Sequence, residues 1–510
     1  MNICFSREKN VILLQSKPTF LFLKAKLKDM KIEKDQMKDV SNPSECTTII
    51  VGKRATTDGS MIVARSDDWS AVVAKRLKVH PAKGQGPEEF VSFNNGFRCP
   101  LPKEALGYMG MPPYQYPDQW ESAGFNTAGV GMSATESIFS SEKALAADPL
   151  VPNGLGEISI NSVVLPYVHS AKEGVERLGA LIEKYGIAEG FGVGFIDQKE
   201  IWYLETASGH RWIASRIPSN VYFVTANQAR LREYDPMDNH HFLGSEDLIE
   251  FAITHKLYDP SKGVFDFHKA YIRDEKLDTT YNYPRVWALQ ALFSPEIEND
   301  VTENNFPVFV QGENCISLAD VRRAYYHHYQ GSTHDPYFHQ NPKEPYRPVA
   351  IFRATHTHIL QVRPELPKAI GEINYVAFGM AALGIFIPIY QGVTSYPEAY
   401  TKGDNHCKED AAYWILRRVQ TLGMVNYNKY APVIRDVYDR FETEMEQRQR
   451  EMEADYLALY PTHPTAAQEL LQRFSDQLLE DVLAVSRELL NDLFTRLTLD
   501  IEAEYRFAGA

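Results

Sequence analysis

An Asp58-Gly59 pair stands between two apolar runs, Cys46-Thr47-Thr48-Ile49-Ile50-Val51-Gly52 before it and Met61-Ile62-Val63-Ala64 after it, the second leading into Arg65-Ser66-Asp67-Asp68. Asp-Gly between strand-like runs is a strong short-range signal for a β-hairpin, because the turn needs residues that tolerate positive φ. This signal predicts an antiparallel pair with Cys46 at its open end. A two-residue loop would set Cys46 opposite Ala71, and a four-residue loop opposite Trp69. Within a register error of a few residues, a thiol, a guanidinium and a carboxylate then converge at one end of a sheet.

Such a convergence, with a dispensable segment ahead of the cysteine, is what an N-terminal nucleophile (Ntn) hydrolase requires. If the Glu45-Cys46 bond is cut, Cys46 carries the attacking sulfur and a free α-amine whose intrinsic pKa of about 8 makes it a usable base. The plain alternative is that Cys46 is a small buried hydrophobe at a strand start, since free cysteine is among the most buried residue types.

Residues 1–45 do not read as part of a packed domain. They hold nine basic residues (Arg7, Lys9, Lys17, Lys24, Lys26, Lys28, Lys31, Lys34, Lys38) and six acidic ones, so the remainder of the chain carries −17 of a total of −14. Ser16-Lys17-Pro18 splits the apolar pieces Val11 to Leu14 and Phe20 to Leu23, which breaks any signal-peptide core, and no membrane span is visible. The segment is expected to be a mobile leader removed before Cys46, or the result of a later true start at Met30 or Met37. A lysine-rich stretch of this kind is more often solvated than a nucleic-acid arm.

The 510 residues, 44% hydrophobic and 24% charged, describe a soluble globular chain with room for two to four domains. The acidic body argues against a nucleic-acid-binding face. Cys4, Cys46, Cys99, Cys315 and Cys407 are few and widely spaced, so no disulfide framework or zinc site emerges and a reducing cytoplasm is the expected compartment.

Beyond the hairpin the pattern is α+β rather than alternating βαβ. Ala123 to Ser133 reads as strand, turn, strand. Residues 157–185 read as helical, with a Ser170 and Glu173 capping pattern and a stop at Gly186. A meander follows over Phe191 to Ile196, Ile201 to Glu205, His210 to Ile217 and Val221 to Thr225, delivering Ala226-Asn227-Gln228. Gly190-Phe191-Gly192-Val193-Gly194 has no helix after it to hold a phosphate and reads as a tight sheet contact. His356-Thr357-His358 and His327-His328 have no third ligand at metal spacing, and the strand-like alternation of 354–362 puts His356 and His358 on one face.

The ordered series Glu45 to Lys53, Asp58-Gly59-Ser60, Ala64-Arg65 with Asp67-Asp68, Gly124-Phe125-Asn126-Thr127-Ala128-Gly129-Val130 and Ser133-Ala134-Thr135-Glu136 resembles the cysteine dipeptidases of the dipeptidase A type. Secernins are their eukaryotic relatives, and all are Ntn hydrolases near penicillin V acylase and bile salt hydrolase. The likeness continues through Trp202-Tyr203-Leu204-Glu205, Ser208-Gly209-His210-Arg211-Trp212, Ala226-Asn227-Gln228, Arg285-Val286-Trp287 and Gln361-Val362-Arg363-Pro364, and so covers roughly positions 46–420. It implies a four-layer αββα Ntn-hydrolase sandwich over 46–400 and dipeptide hydrolysis through Cys46, with no cofactor and no metal. Carried across residue by residue, it implies that Arg65 favours the thiolate and Asp68 holds the α-amine. Asn227 would help form the oxyanion hole, and Arg285 would steady the nucleophile and the developing charge. Thr135 and Glu136 align loosely with a second oxyanion residue of the acylase relatives and are candidate substrate-binding residues. A linear-amide acylase and a catalytically silent, secernin-like interaction protein are the alternatives.

From 401 the chain turns helical, over Ala411 to Leu422, Tyr430 to Leu459 and Pro464 to Phe507, with a break at Pro461 to Pro464. Leu471, Phe474, Leu478, Val482, Val485, Leu489, Leu493 and Leu497 form one apolar stripe. It is expected to pack on the catalytic sheet, with a homo-oligomer contact as the sharper alternative.

Overall fold

The computed structural model describes residues 45–116, 118–338 and 346–505. The leader expected over 1–45 lies outside these residues except for Glu45, as does the end of the helix predicted to reach Phe507. Two antiparallel sheets dominate. The first has seven strands in the order Phe309–Val310, Tyr222–Thr225, Glu45–Val51, Met61–Asp68, Ala354–Val362, Glu372–Phe378 and Ile387–Tyr390. The second has six, in the order Phe242–Gly244, Trp212–Arg216, Ile201–Thr206, Phe191–Ile196, Gly131–Ser137 and Ala123–Phe125.

The hairpin forms, but in another register. Cys46 pairs with Asp67 and Val51 with Ile62, rather than Cys46 with Ala71 or Trp69. The connection is longer than a tight Asp-Gly loop because the chain turns twice. Ala55 N–H donates to the Gly52 carbonyl in a first turn that hooks onto the crossover segment, where Arg54 N–H donates to the Ser219 carbonyl. The second turn is the one at Asp58-Gly59: Gly59 has φ of 72°, and Asp58 Oδ1 accepts from Ser60 N–H at 3.0 Å. The difference is an even number of residues, so each side chain keeps its face while the partner of Cys46 changes.

The four-strand meander also divides. Its first three strands lie in the second sheet, whereas Tyr222–Thr225 crosses to the first and pairs with Glu45–Val51. The crossing depends on Gly52, where a Cβ would lie 2.5 Å from the Pro218 carbonyl oxygen. The glycine-rich strand does make a close sheet contact: a Cβ on Gly194 would lie 2.7 Å from Val63 Cγ1, across the gap between the two sheets.

Helix Ala171–Tyr185 buries Val175, Leu178 and Ile182 in one core with Val193, Phe195, Trp202 and Leu204 of the second sheet. Ser170 caps it, its side chain accepting from Glu173 N–H, and Gly186 ends it. The helix expected over 157–185 is in fact two, Glu157–Val164 and Ala171–Tyr185, parted by a 3-10 turn at Leu165–Tyr167, because Pro166 cannot donate to the helical ladder. Helix Tyr283–Phe293 lays Val286, Leu289 and Phe293 among Ile49, Val51, Tyr222 and Val224 of the first sheet.

The C-terminal helices run Ala412–Val425, Tyr427–Leu459 and Pro464–Glu504. Leu471, Leu478, Val482, Leu489 and Leu493 of the stripe are buried, and Phe474, Val485 and Leu497 pack partly buried beside the same cores. Gln420 ties the first of these helices to the first sheet, donating to the Phe378 carbonyl at 2.7 Å and accepting from Met380 N–H at 3.0 Å. No described helix is long and apolar enough to cross a membrane.

Truncating a fully buried side chain of the stripe removes transfer energy and leaves a cavity, whereas truncating an exposed one does neither. Leu478→Ala is expected to cost about 2–5 kcal/mol, and Phe494→Ala, at a residue 64% exposed, to stay within about 0.5 kcal/mol. Denaturant melts of the two variants beside the wild type check both.

Candidate active site

Strand alternation builds the site. Side chains of Cys46 and Thr48 share a face with Arg65 and Asp67 on the neighbouring strand and with His356 and His358 on the next, given the pairings Cys46 with Asp67, Thr48 with Arg65, His356 with Asp67 and His358 with Arg65. This face looks onto the second sheet, where a bulge between Ala134 and Glu136 takes Thr135 out of the ladder. The Thr135 carbonyl accepts from Arg65 Nη1 at 2.7 Å and from the Cys46 thiol at 3.2 Å. Arg65 Nη1 also donates to Cys46 Sγ at 2.9 Å, and Nη2 to the Ala134 carbonyl at 2.7 Å.

On its other side Cys46 meets Asn227. The pairing of Thr48 with Thr225 continues past the strand end, and Cys46 N–H donates to Asn227 Oδ1 at 3.3 Å. Arg285 Nη2 donates to the same oxygen at 2.8 Å and to Asn282 Oδ1 at 2.7 Å. A guanidinium only donates, so this contact fixes which amide atom of Asn227 faces Cys46. Asn227 Nδ2 is therefore turned to Glu136 Oε1, 3.2 Å away. Glu136 Oε2 accepts from Thr48 Oγ1 at 2.7 Å. Arg285 Nη1 completes the set by donating to the Cys46 carbonyl and, at 2.9 Å, to Thr47 Oγ1.

Asp68 lies on the opposite face of its strand, across from Glu45. Its carboxylate accepts from Arg347 Nη2 and, at 3.1 Å, from Ser66 Oγ, and makes no contact with the Cys46 nitrogen. The carboxylate directly opposite Cys46 is Asp67, which pairs with Lys75 at 3.1 Å and accepts from Ser122 Oγ at 2.8 Å. His356 Nδ1 stands 3.7 Å from Asp67, His356 Nε2 3.1 Å from His358 Nδ1, and His358 Nε2 2.8 Å from Ser133 Oγ. The two histidines thus engage each other and a serine. No group of three or more metal-ligating side chains occurs among the described residues.

Burial governs the protonation states. Cys46, Arg65, Asp68, Thr135, Glu136, Asn227 and Arg285 are each at most 2% exposed. Desolvation pushes the Cys46 thiol well up, against the pull of Arg65, so the sulfur rests as a thiol. It likewise raises Glu136 to about 8 and Glu157 to about 7. Burial also lowers His356 to about 3, which keeps the ring neutral. Asp67 differs: Lys75 first, then His356 and Arg65, hold it ionised well below the carboxylate range in spite of burial.

Sequence reasoning did not single out Asp67, Lys75, Ser122, Asn282, Arg347 or Arg353. Only Asp67 carried a local signal, since it stands two residues from Arg65 on one strand face. A cavity of 640 Å³ lies elsewhere, lined by Arg322, Tyr326, His328, Tyr427 and Arg435 among others, and none of the seven candidate residues borders it.

The site is thus a buried thiol beside a guanidinium, with the backbone nitrogen of the same residue held by an amide oxygen, where the two sheets meet. The chain belongs to Peptidase family C69, whose model matches residues 45–440. It is 50% identical over 361 residues to a "Probable dipeptidase" of Salmonella dublin, across 70% of this chain and 83% of that protein. It is 35% identical over 398 residues to a "Probable dipeptidase" of Latilactobacillus sakei, across 77% and 84%. It is 33% identical over 410 residues to "Dipeptidase A" of Lactobacillus helveticus, across 78% and 85%. Among solved structures, a variant of the conjugated bile acid hydrolase of Clostridium perfringens matches 65% of this chain and 89% of that one at 12% identity, with a TM-score of 0.25.

Two measurements probe the site. In the folded chain, iodoacetamide is expected to label exposed Cys315 and Cys407 while sparing buried Cys46 and Cys99, as read by peptide mass spectrometry. Glu136 is raised to about 8 in the fold against about 4 when unfolded. The stability it contributes is full below about pH 4 and is lost as pH rises through about 8. Glu136→Gln should therefore flatten the fall in stability between about pH 5 and pH 8 in denaturant melts of the two proteins.

Proposed function

We propose that this chain is a cysteine-type dipeptidase that hydrolyses unblocked dipeptides, with Cys46 as the N-terminal nucleophile once the leader ending at Glu45 is removed. The observation that carries the reading is the placement of both functional atoms of Cys46: Sγ on Arg65 at 2.9 Å, and the backbone nitrogen on Asn227 Oδ1 at 3.3 Å. The names borne by the relatives support the substrate class. The fold proposed is a four-layer αββα Ntn-hydrolase sandwich, supported by helix Tyr283–Phe293 on the first sheet, helix Ala171–Tyr185 on the second, and close contact of Gly194 with Val63 between them. The four described free cysteines fit a reducing cytoplasm.

In self-cleavage the Cys46 sulfur attacks the Glu45 carbonyl carbon, the acyl group passes from nitrogen to sulfur, and water opens the resulting thioester. The freed α-amine remains beside Asn227 Oδ1. In turnover that amine accepts the thiol proton, the sulfur attacks the peptide carbonyl of the dipeptide, and the proton passes to the departing amine. Water then resolves the thioester and releases the first amino acid. Arg65 offsets the charge of the thiolate, and Arg285 holds the carbonyl and side-chain groups that position Cys46. Asn227 has two tasks: Oδ1 holds the amine, and Nδ2 exchanges Glu136 for the substrate oxyanion, a donor typically worth about 3 to 4 kcal/mol. Asp68 acts from the opposite face, fixing Arg347 beside the strand that carries Arg65, while Thr135 and Glu136 wall the site from the second sheet.

Cys46→Ala is expected to lower dipeptide hydrolysis by at least about a thousandfold and to leave Glu45 attached in the intact mass. The wild type should cleave free dipeptides and spare their N-acetyl analogues. Full activity in wild-type protein that retains Glu45 would remove the α-amine from the mechanism.

A further inference from the structure

The residue that gives up its carbonyl in self-cleavage is Glu45, and its side chain has a partner. The Glu45 carboxylate forms an ion pair with Arg353, and the two side chains are only 10% and 29% exposed. Arg353 is fixed independently of Glu45. Its Nη1 donates to the Asp68 carbonyl at 2.9 Å and the Trp69 carbonyl at 3.2 Å, and its Nη2 reaches Tyr281 Oη at 3.4 Å. The guanidinium is therefore anchored to the end of the strand that carries Arg65, and it stays when Glu45 departs.

Departure leaves an imbalance. Among the described residues Glu45 supplies the one carboxylate at ion-pair distance from Arg353, because neighbouring Asp68 is held by Arg347. A mostly buried cation that loses its counter-ion is costly, and a carboxylate brought by a ligand relieves that cost. In self-cleavage Glu45 is the acyl residue that ends on Cys46 Sγ. In dipeptide hydrolysis the first residue of the substrate takes that position. A glutamyl side chain there would carry its carboxylate to the place that the Glu45 carboxylate occupies.

Resting on the dipeptidase reading, we propose that Arg353 is the carboxylate-binding residue of the acyl subsite and selects dipeptides with an acidic residue, glutamate above all, at the N-terminal position.

The test uses wild-type protein whose mass shows that the chain begins at Cys46, assayed on Glu-Ala, its uncharged isostere Gln-Ala, and Ala-Ala. The wild type should favour Glu-Ala over Gln-Ala by tenfold or more in kcat/KM. Arg353→Gln should bring that ratio near one while changing Ala-Ala by less than threefold, and Arg353→Lys should restore part of it. A wild-type ratio below twofold overturns the proposal without need of any variant. An equal loss on all three substrates in Arg353→Gln also overturns it, because Arg353 would then serve the terminal carboxylate common to every dipeptide, or only the framework. Hydrolysis of Ala-Ala by processed protein upholds the dipeptidase reading whichever of these results is found. Absence of hydrolysis of all three removes that reading and this proposal together.

Discussion

The Arg65 guanidinium, buried between the two sheets, is the interaction on which the rest of the site depends. A charge at 1% exposure is tolerated only when its donors are satisfied. Arg65 satisfies its two terminal nitrogens by donating to the Ala134 and Thr135 carbonyls of the second sheet and to Cys46 Sγ on its own sheet. The bulge at Thr135, the close passage of Gly194 over Val63 and the position of Cys46 at a strand end are all needed for these contacts to coexist. Lys75 and Asp67 extend the seam with a fully buried ion pair.

How much of this was legible depended on how local the signal was. The hairpin could be read because Asp58-Gly59 and its flanking runs adjoin one another, yet its register could not, because the additional turn at Gly52 to Ala55 is set by Ser219 of the crossover segment. Asn227 was found as a strand-end residue, and the register that brings it beside Cys46 follows from the pairing of Thr48 with Thr225. The division of the 157–185 helix had a visible cause in Pro166, which the periodicity outweighed. Lys75, Arg347 and Arg353 were not legible. They lie outside the strands that carry Cys46 and Arg65 and are brought in by tertiary packing, and arginines and lysines in such segments usually mark nothing but solvent.

The protonation of the cluster also follows from burial. Desolvation keeps Cys46 a thiol and Glu136 largely protonated, so the seam avoids unpaired negative charge. In the proposed reading, cutting the Glu45-Cys46 bond replaces an amide nitrogen by a titratable amine beside Asn227 Oδ1. That single change introduces the base the thiol lacks. It also gives Glu136, linked to the amine through Asn227, a cation to answer. One covalent event thus resets the protonation of a cluster whose geometry is already in place.

The alternation of the strand from Glu45 to Val51 divides the labour. Its even-numbered side chains, Cys46 and Thr48, face the second sheet and the Arg65, Asp67 and Glu136 groups. Its odd-numbered ones, Glu45 and Thr47, face Arg353 and Arg285, with Asp68 and Arg347 beside them. Arg285 links the two faces, donating to Thr47 Oγ1 and to Asn227 Oδ1, which also accepts from Cys46 N–H. Because the side-chain period of a strand is two, a slip of one residue would exchange the faces entirely, moving the sulfur among the arginines and the Glu45 carboxylate onto Arg65. The paired fixation of this strand, by Tyr222–Thr225 on one edge and Met61–Asp68 on the other, is therefore what keeps the Cys46 thiol and the Glu45 carboxylate on separate sides of a single backbone.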